Sequence, residues 1–89
     1  MDQEAIGADQ IPSIEVLVTD LIARFSLAAH AYLMDEEGKQ PDLASAEMAI
    51  DVASAGFERV KERLRPEERL AITQLLTETR MTFVKKRGL

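Results

Sequence analysis

The residues able to do chemistry in this chain are few and poorly grouped. His30 is the only histidine, and there is no cysteine. Thiolate nucleophiles, disulfides and cysteine-ligated metals are thereby excluded together. A metal centre would have to combine His30 with Asp35, Glu36 and Glu37, a cluster that reads more simply as a solvated helix end. A lone histidine among apolar neighbours reads as an interior or interface residue. Ser26, Ser45 and Ser54 all fall inside helical patterns, with no strand-turn-helix elbow to present a nucleophilic hydroxyl. No Gly-rich phosphate loop is present. The paired carboxylates of Glu67 and Glu68 have no concave site suggested around them. A chain of 89 residues has room for only a shallow pocket. No catalytic residue, metal or cofactor is expected, and the chain does not read as an enzyme.

The basic end Lys85-Lys86-Arg87 could contact a phosphate or an anionic lipid. Matching to a helix dipole explains it equally well, and the net charge of −5 argues against affinity for nucleic acid or anionic membrane. Asp2 and Glu4 stand where a secretory leader would be basic, and no apolar run follows them. The longest uncharged run, Phe25 to Met34, is about half the roughly 20 residues of a membrane span. The expected location is the cytoplasm.

The elements that would carry these residues are helices. A hydrophobic share of 46% and a charged share of 30% suit one small globular domain near the size where folding alone is marginal. Met1 to Pro12 reads as a mobile tail, with Ser13 as the N-cap of a helix over about 14–34. Its apolar residues cover most of the circumference. Ile14, Val18, Leu21, Phe25, Ala28 and Tyr32 form the clearest stripe, widened by Leu17, Ile22, Ala29 and Leu33. Gly38 and Pro41 mark a connector.

Asp42 then caps a helix over about 43–63. Its seam of Leu43, Ala46, Ile50, Ala53, Phe57, Val60 and Leu64 is spaced for packing on another helix. Mid-helix, Gly56 costs about 1 kcal/mol relative to Ala, and close packing is its expected reason. Pro66 fits the first position of a third helix, about 66–86. Ile72, Leu75, Leu76, Thr79 and Phe83 form its core face. The expected fold is all-α: three helices on short connectors, sequential neighbours antiparallel, as a single domain over 13–87.

What remains is surplus apolar surface. Leu70, Met81 and Val84, with Thr77 between them, gather on the side of the third helix opposite its core face. Arg69 and Arg80 lie at the edge of that core face, and arginine is enriched at binding hot spots. Arg69, Leu70, Thr77, Arg80, Met81 and Val84 are therefore the candidate partner-binding residues. The periodicity leaves open whether the partner is another protein or further copies of the chain in a homo-oligomeric structural module.

A resemblance narrows this. Ser26 to Leu33, Asp42-Leu43-Ala44-Ser45-Ala46, Ile50-Asp51 and Leu75 to Val84 follow, in order and nearly ungapped, the pattern of a family. Together they resemble a family of short bacterial all-helical proteins catalogued as a domain of unknown function. Its pattern is a Ser-Leu-Ala helix start, an Asp-Leu-x-x-Ala opening, an Ile-Asp pair and an Arg-x-x-Phe-Val ending. The likeness spans about residues 14 to 86. Met34 departs from the family's usual glycine, and Val60 to Arg65 replaces a Lys/Gly/Asn-rich turn. The family includes RomX, the partner of the response regulator RomR in the exchange factor for the Ras-like GTPase MglA. The resemblance implies a cytoplasmic cell-polarity and motility module with a Ras-like GTPase and a response-regulator-type protein as partners.

Overall fold

The computed structural model describes residues 10–35 and 38–88. Residues 1–9 of the expected tail, Glu36 and Glu37 of the expected helix stop, and Leu89 lie outside the described residues. The described residues form three α-helices, α1 (Ile14–Leu33), α2 (Leu43–Val60) and α3 (Pro66–Gly88), with a 3-10 turn at Lys61–Arg63 between α2 and α3.

Each start has a local cause. The Ser13 hydroxyl accepts the Val16 N–H at 3.3 Å, and the Asp42 carboxylate accepts the Ser45 N–H at 3.1 Å, so both helices open on a side-chain cap. At α3 the reach is reversed. Glu68 accepts the Arg65 backbone N–H at 3.0 Å and its guanidinium at 3.1 Å, the returning half of a capping box. Gly38, at φ 76°, takes the left-handed turn between α1 and α2 that a side chain would disfavour.

Three boundaries differ from expectation, the first by one residue: α1 ends at Leu33, with Met34 as its C-cap. The second helix stops as an α-helix at Val60, and its expected last turn tightens to 3-10 geometry over Lys61–Arg63, ahead of Pro66. The third continues to Gly88, because the basic residues of its last turn suit the carbonyl end and Arg87 also stacks 5.3 Å above the Phe83 ring.

Helix directions follow from pairs of contacts. Glu15 meets Arg63 at 2.6 Å, and the Asp42 N–H donates to the Tyr32 carbonyl at 2.8 Å, so α1 and α2 run antiparallel. Arg80 reaches the Ser54 hydroxyl at 3.1 Å. Phe83 joins Ala46, Ala49 and Ile50 near the start of α2, whereas Ile72 joins Phe57, Val60 and Leu64 near its end. So α3 returns antiparallel to α2, and His30 of α1 meets Thr79 of α3 at 3.0 Å.

The seam of α2 is as expected: all its members are buried except half-buried Leu43, and Ala49 joins them. Gly56 is a close-packing site. A Cβ there would stand 3.2 Å from Val18 Cγ1 and 3.7 Å from Leu21 Cδ2.

The face of α1 is a correction. Its buried residues are Ile22, Ser26, Ala29 and Leu33, about 90° around the helix from the expected stripe at 3.6 residues per turn. Ile14, Phe25 and Tyr32 of that stripe are exposed, and Val18, Leu21 and Ala28 only half-buried. The reason is where the other two helices lie. Ala29 packs with Ala46 and Ala49 and Ile22 with Ala53, small residues of α2 that let the two backbones approach. Phe25 or Tyr32 on that line would hold them apart.

The expectation that the first helix falls short of a membrane span rested on its longest uncharged run. The whole helix is long and apolar enough to cross one by length and composition, with mean hydropathy 1.3. Here that apolarity is divided between a line packed on α2 and α3 and faces left open.

Candidate interaction surfaces

The candidate residues on α3 separate into two groups. Leu70, Thr77, Met81 and Val84 lie on the outer side of α3, away from α1 and α2, with Leu70 60% and Met81 58% exposed. The helix itself brings these four together, since their spacing returns to one side every three or four residues. Lys85 and Arg80 border this surface. Thr77, Met81 and Val84 line a shallow, open apolar depression with Leu76, and Leu70 lies beyond it towards the start of α3; with its cationic margins it suits a side chain or helix of another protein.

Arg80 is at the flank. Its guanidinium donates to Ser54 on α2 from an exposed position, so it is accessible yet partly oriented. Arg69 is placed elsewhere. Its Nη1 donates to the carbonyls of Lys61 at 2.9 Å and Leu64 at 3.2 Å, in the turn where α2 ends, the Lys61 oxygen also accepting the Leu64 N–H at 3.2 Å. Half-buried in that turn, Arg69 holds the connection between α2 and α3. Its position at the edge of the core face was legible in the periodicity, but the direction of its side chain depends on carbonyls that only the folded turn presents.

A second apolar surface was missed. Phe25, Ala28 and Tyr32 line a shallow groove with Ser45, Met48 and Ala49, on the side of the α1–α2 pair opposite α3. Ile14 and Leu17 extend it along α1, and Val52 extends it one turn along α2. All six large side chains of this face are exposed, Met48 most of all at 67%. The available signal was the α1 stripe itself, which is real but faces outward. Met48 and Val52 lie off the α2 seam and belong to no internal stripe.

His30 stands in a polar seam between α1 and α3. The Thr79 hydroxyl donates to the Leu75 carbonyl at 2.8 Å. That leaves its oxygen to accept from His30 Nε2, which fixes the proton on that nitrogen. Ser26, one turn before His30, is 1% exposed, and its hydroxyl has no hydrogen-bond partner among the described residues. The seam pins two helices together and shows no nucleophile-base pair. Among the described residues no group of three His, Asp or Glu side chains is placed to hold a metal.

The electrostatics of the molecule lie at helix ends. The backbone N–H of Ser45 holds the Asp42 carboxyl below the usual aspartate range. Glu68 is lowered chiefly by the Arg65 side chain. Glu15 is lowered first by a backbone hydrogen bond, with Arg63 adding to it. Lys61 is raised by its bond to Glu58, 2.8 Å away. Glu15 and Glu68 line one shallow depression between α1 and the start of α3, with Asp20 and Arg63, where their shifts come from ion pairs and helix-end hydrogen bonds; Asp42 and Lys61 do not line it. Comparison with protein-family models, with curated proteins and with solved structures finds no match to this chain.

Proposed function

We propose that this chain is a small helical protein–protein interaction module of RomX-like type. It acts with a response-regulator partner to bind a Ras-like GTPase and promote nucleotide exchange, in the regulation of cell polarity and motility. The observation that carries the interaction reading is the outer face of α3. Leu70, Met81 and Val84 stand exposed on a helix whose opposite side already supplies Ile72, Thr79 and Phe83 to the core. Met81 and Val84 cluster with Leu76 on this side, with Leu70 about three turns away, and exposed apolar clusters mark interaction sites. The identity of the partners rests on the sequence resemblance alone.

Exchange by such a module needs no catalytic side chain. A factor that binds the nucleotide-free or GTP-bound form more tightly than the GDP-bound form shifts the GTPase toward release by that difference in affinity. A surface with apolar centre and cationic edge, here Arg80 and Lys85, is the equipment such binding uses.

A native-lysate pull-down with the full chain, followed by a labelled-GDP release assay, tests the reading. Wild type recovers a Ras-like GTPase or a response regulator, and Met81→Glu loses it while keeping wild-type helical circular dichroism. Recovery of the bait alone, or equal recovery by the variant, sets the exchange reading aside. The second reading, a homo-oligomeric structural module without exchange activity, draws on the open face of the α1–α2 pair.

A further inference from the structure

We infer that the open face of the α1–α2 pair is the seat of a second copy of this chain, and that the two copies form a four-helix layer with α3 of each on the outside. An antiparallel helix pair with one face covered and the other apolar lacks half of a bundle interior. A second antiparallel pair supplies it.

Two features of the face favour a copy over an unrelated chain. The first is area. At their exposures, Ile14, Leu17, Phe25, Tyr32, Met48 and Val52 present on the order of 600 Å² per copy. With half-buried Leu21 and Ala28 at their margin this approaches the roughly 800 Å² per partner of a standard interface.

The second feature is self-complementarity, which a two-fold interface requires. The α1 stripe reads the same in reverse about its middle, with steps of four, three, four, three and four residues. Laid antiparallel on its copy, Ile14 meets Tyr32 and Leu21 meets Phe25, large against large, while Val18 meets the small Ala28.

The resulting dimer carries two outward α3 faces and is bivalent for any partner that α3 binds.

Sedimentation equilibrium of the full chain across the micromolar range reads this directly. Wild type gives twice the 9.9 kDa chain mass. Met48→Glu and Leu17→Lys each weaken the dimer by on the order of tenfold or more, with helical circular dichroism retained. Met81→Glu, on the other side of the molecule, leaves the mass unchanged. A wild type that stays monomeric throughout, or a dimer lost in Met81→Glu but kept in the other two, overturns the inference. A monomeric wild type leaves partner capture by α3 untouched, whereas a dimer lost only in Met81→Glu makes the α3 face the self-association surface, so the two proposals are told apart.

Discussion

Helices α1 and α2 pack on each other along their length, yet their sequences constrain them differently. Most large apolar residues of α2 lie on one seam, buried from Ala46 to Val60, with Met48 and Val52 outside it. The apolar residues of α1 run nearly all round, and only Ile22, Ser26, Ala29 and Leu33 are buried. Where apolarity marks one side, it fixes the inward face. Where it marks every side, the positions of the neighbouring helices decide: Ile22 and Leu33 turn inward with the small Ser26 and Ala29, which let the neighbouring backbones come nearer. Ile14, Leu17, Phe25 and Tyr32 are then left outside, and the excess apolar surface of this protein is a consequence.

The largest expected effect breaks the comparison at its strongest point. Phe83 is 5% exposed and Phe25 37%, the same side chain on the inner and the outer side of the fold. Phe83→Ala removes the anchor that joins the end of α3 to Ala29, Ala46 and Ile50, and is expected to cost about 3–5 kcal/mol. That is a large fraction of the ~5–15 kcal/mol typical of a domain. Phe25→Ala is expected to cost about 1–2 kcal/mol in the monomer. Urea unfolding at low protein concentration measures both. Equal losses would show that the outer face of α1 is packed in solution as tightly as the core.

A smaller effect, of opposite sign, sharpens the size argument. Ser26 is inward because it is small, and its buried hydroxyl is unpartnered among the described residues. Ser26→Ala keeps the close approach and removes a polar atom that lost its water on folding. It is expected to raise stability by about 1 kcal/mol. Ser26→Leu would instead force α1 from α3 and destabilise by about 1–3 kcal/mol. Thermal unfolding of the pair separates size from polarity, and a destabilised Ser26→Ala would mean that the hydroxyl is bonded.

The contrast also explains what could be read before the fold was known. Caps at Ser13 and Asp42, the start at Pro66 and the seam of α2 are each fixed by residues within a few positions, so local chemistry sufficed. The outward set Leu70, Thr77, Met81 and Val84 was legible because α3 has a distinct inner face to oppose it. The burial of Ser26 and the exposure of Phe25 were not, because they depend on where α2 and α3 lie against α1. Arg69 shows the same limit at one side chain: its acceptors on Lys61 and Leu64 exist only once α2 has ended in a 3-10 turn.

The smallest expected effect concerns the two helix starts. Helix α1 opens on the neutral Ser13 hydroxyl, and α2 on the ionised Asp42 carboxylate. The Ser45 N–H lowers the folded-state pKa of Asp42, so its contribution is fully present above the ordinary aspartate value of about 3.9. It is lost as pH falls through the lower, folded value. Asp42→Asn keeps an acceptor for the Ser45 N–H but carries no charge to titrate. Measured as Tm against pH from about 7 down to about 2, the variant is slightly less stable than wild type at neutral pH, and the gap closes in acid. Glu15 and Glu68, also lowered, keep some acid sensitivity in both proteins. Two curves that stay parallel would mean that the α2 cap works through its hydrogen bond alone, as the α1 cap does, and that charge does not distinguish the two starts.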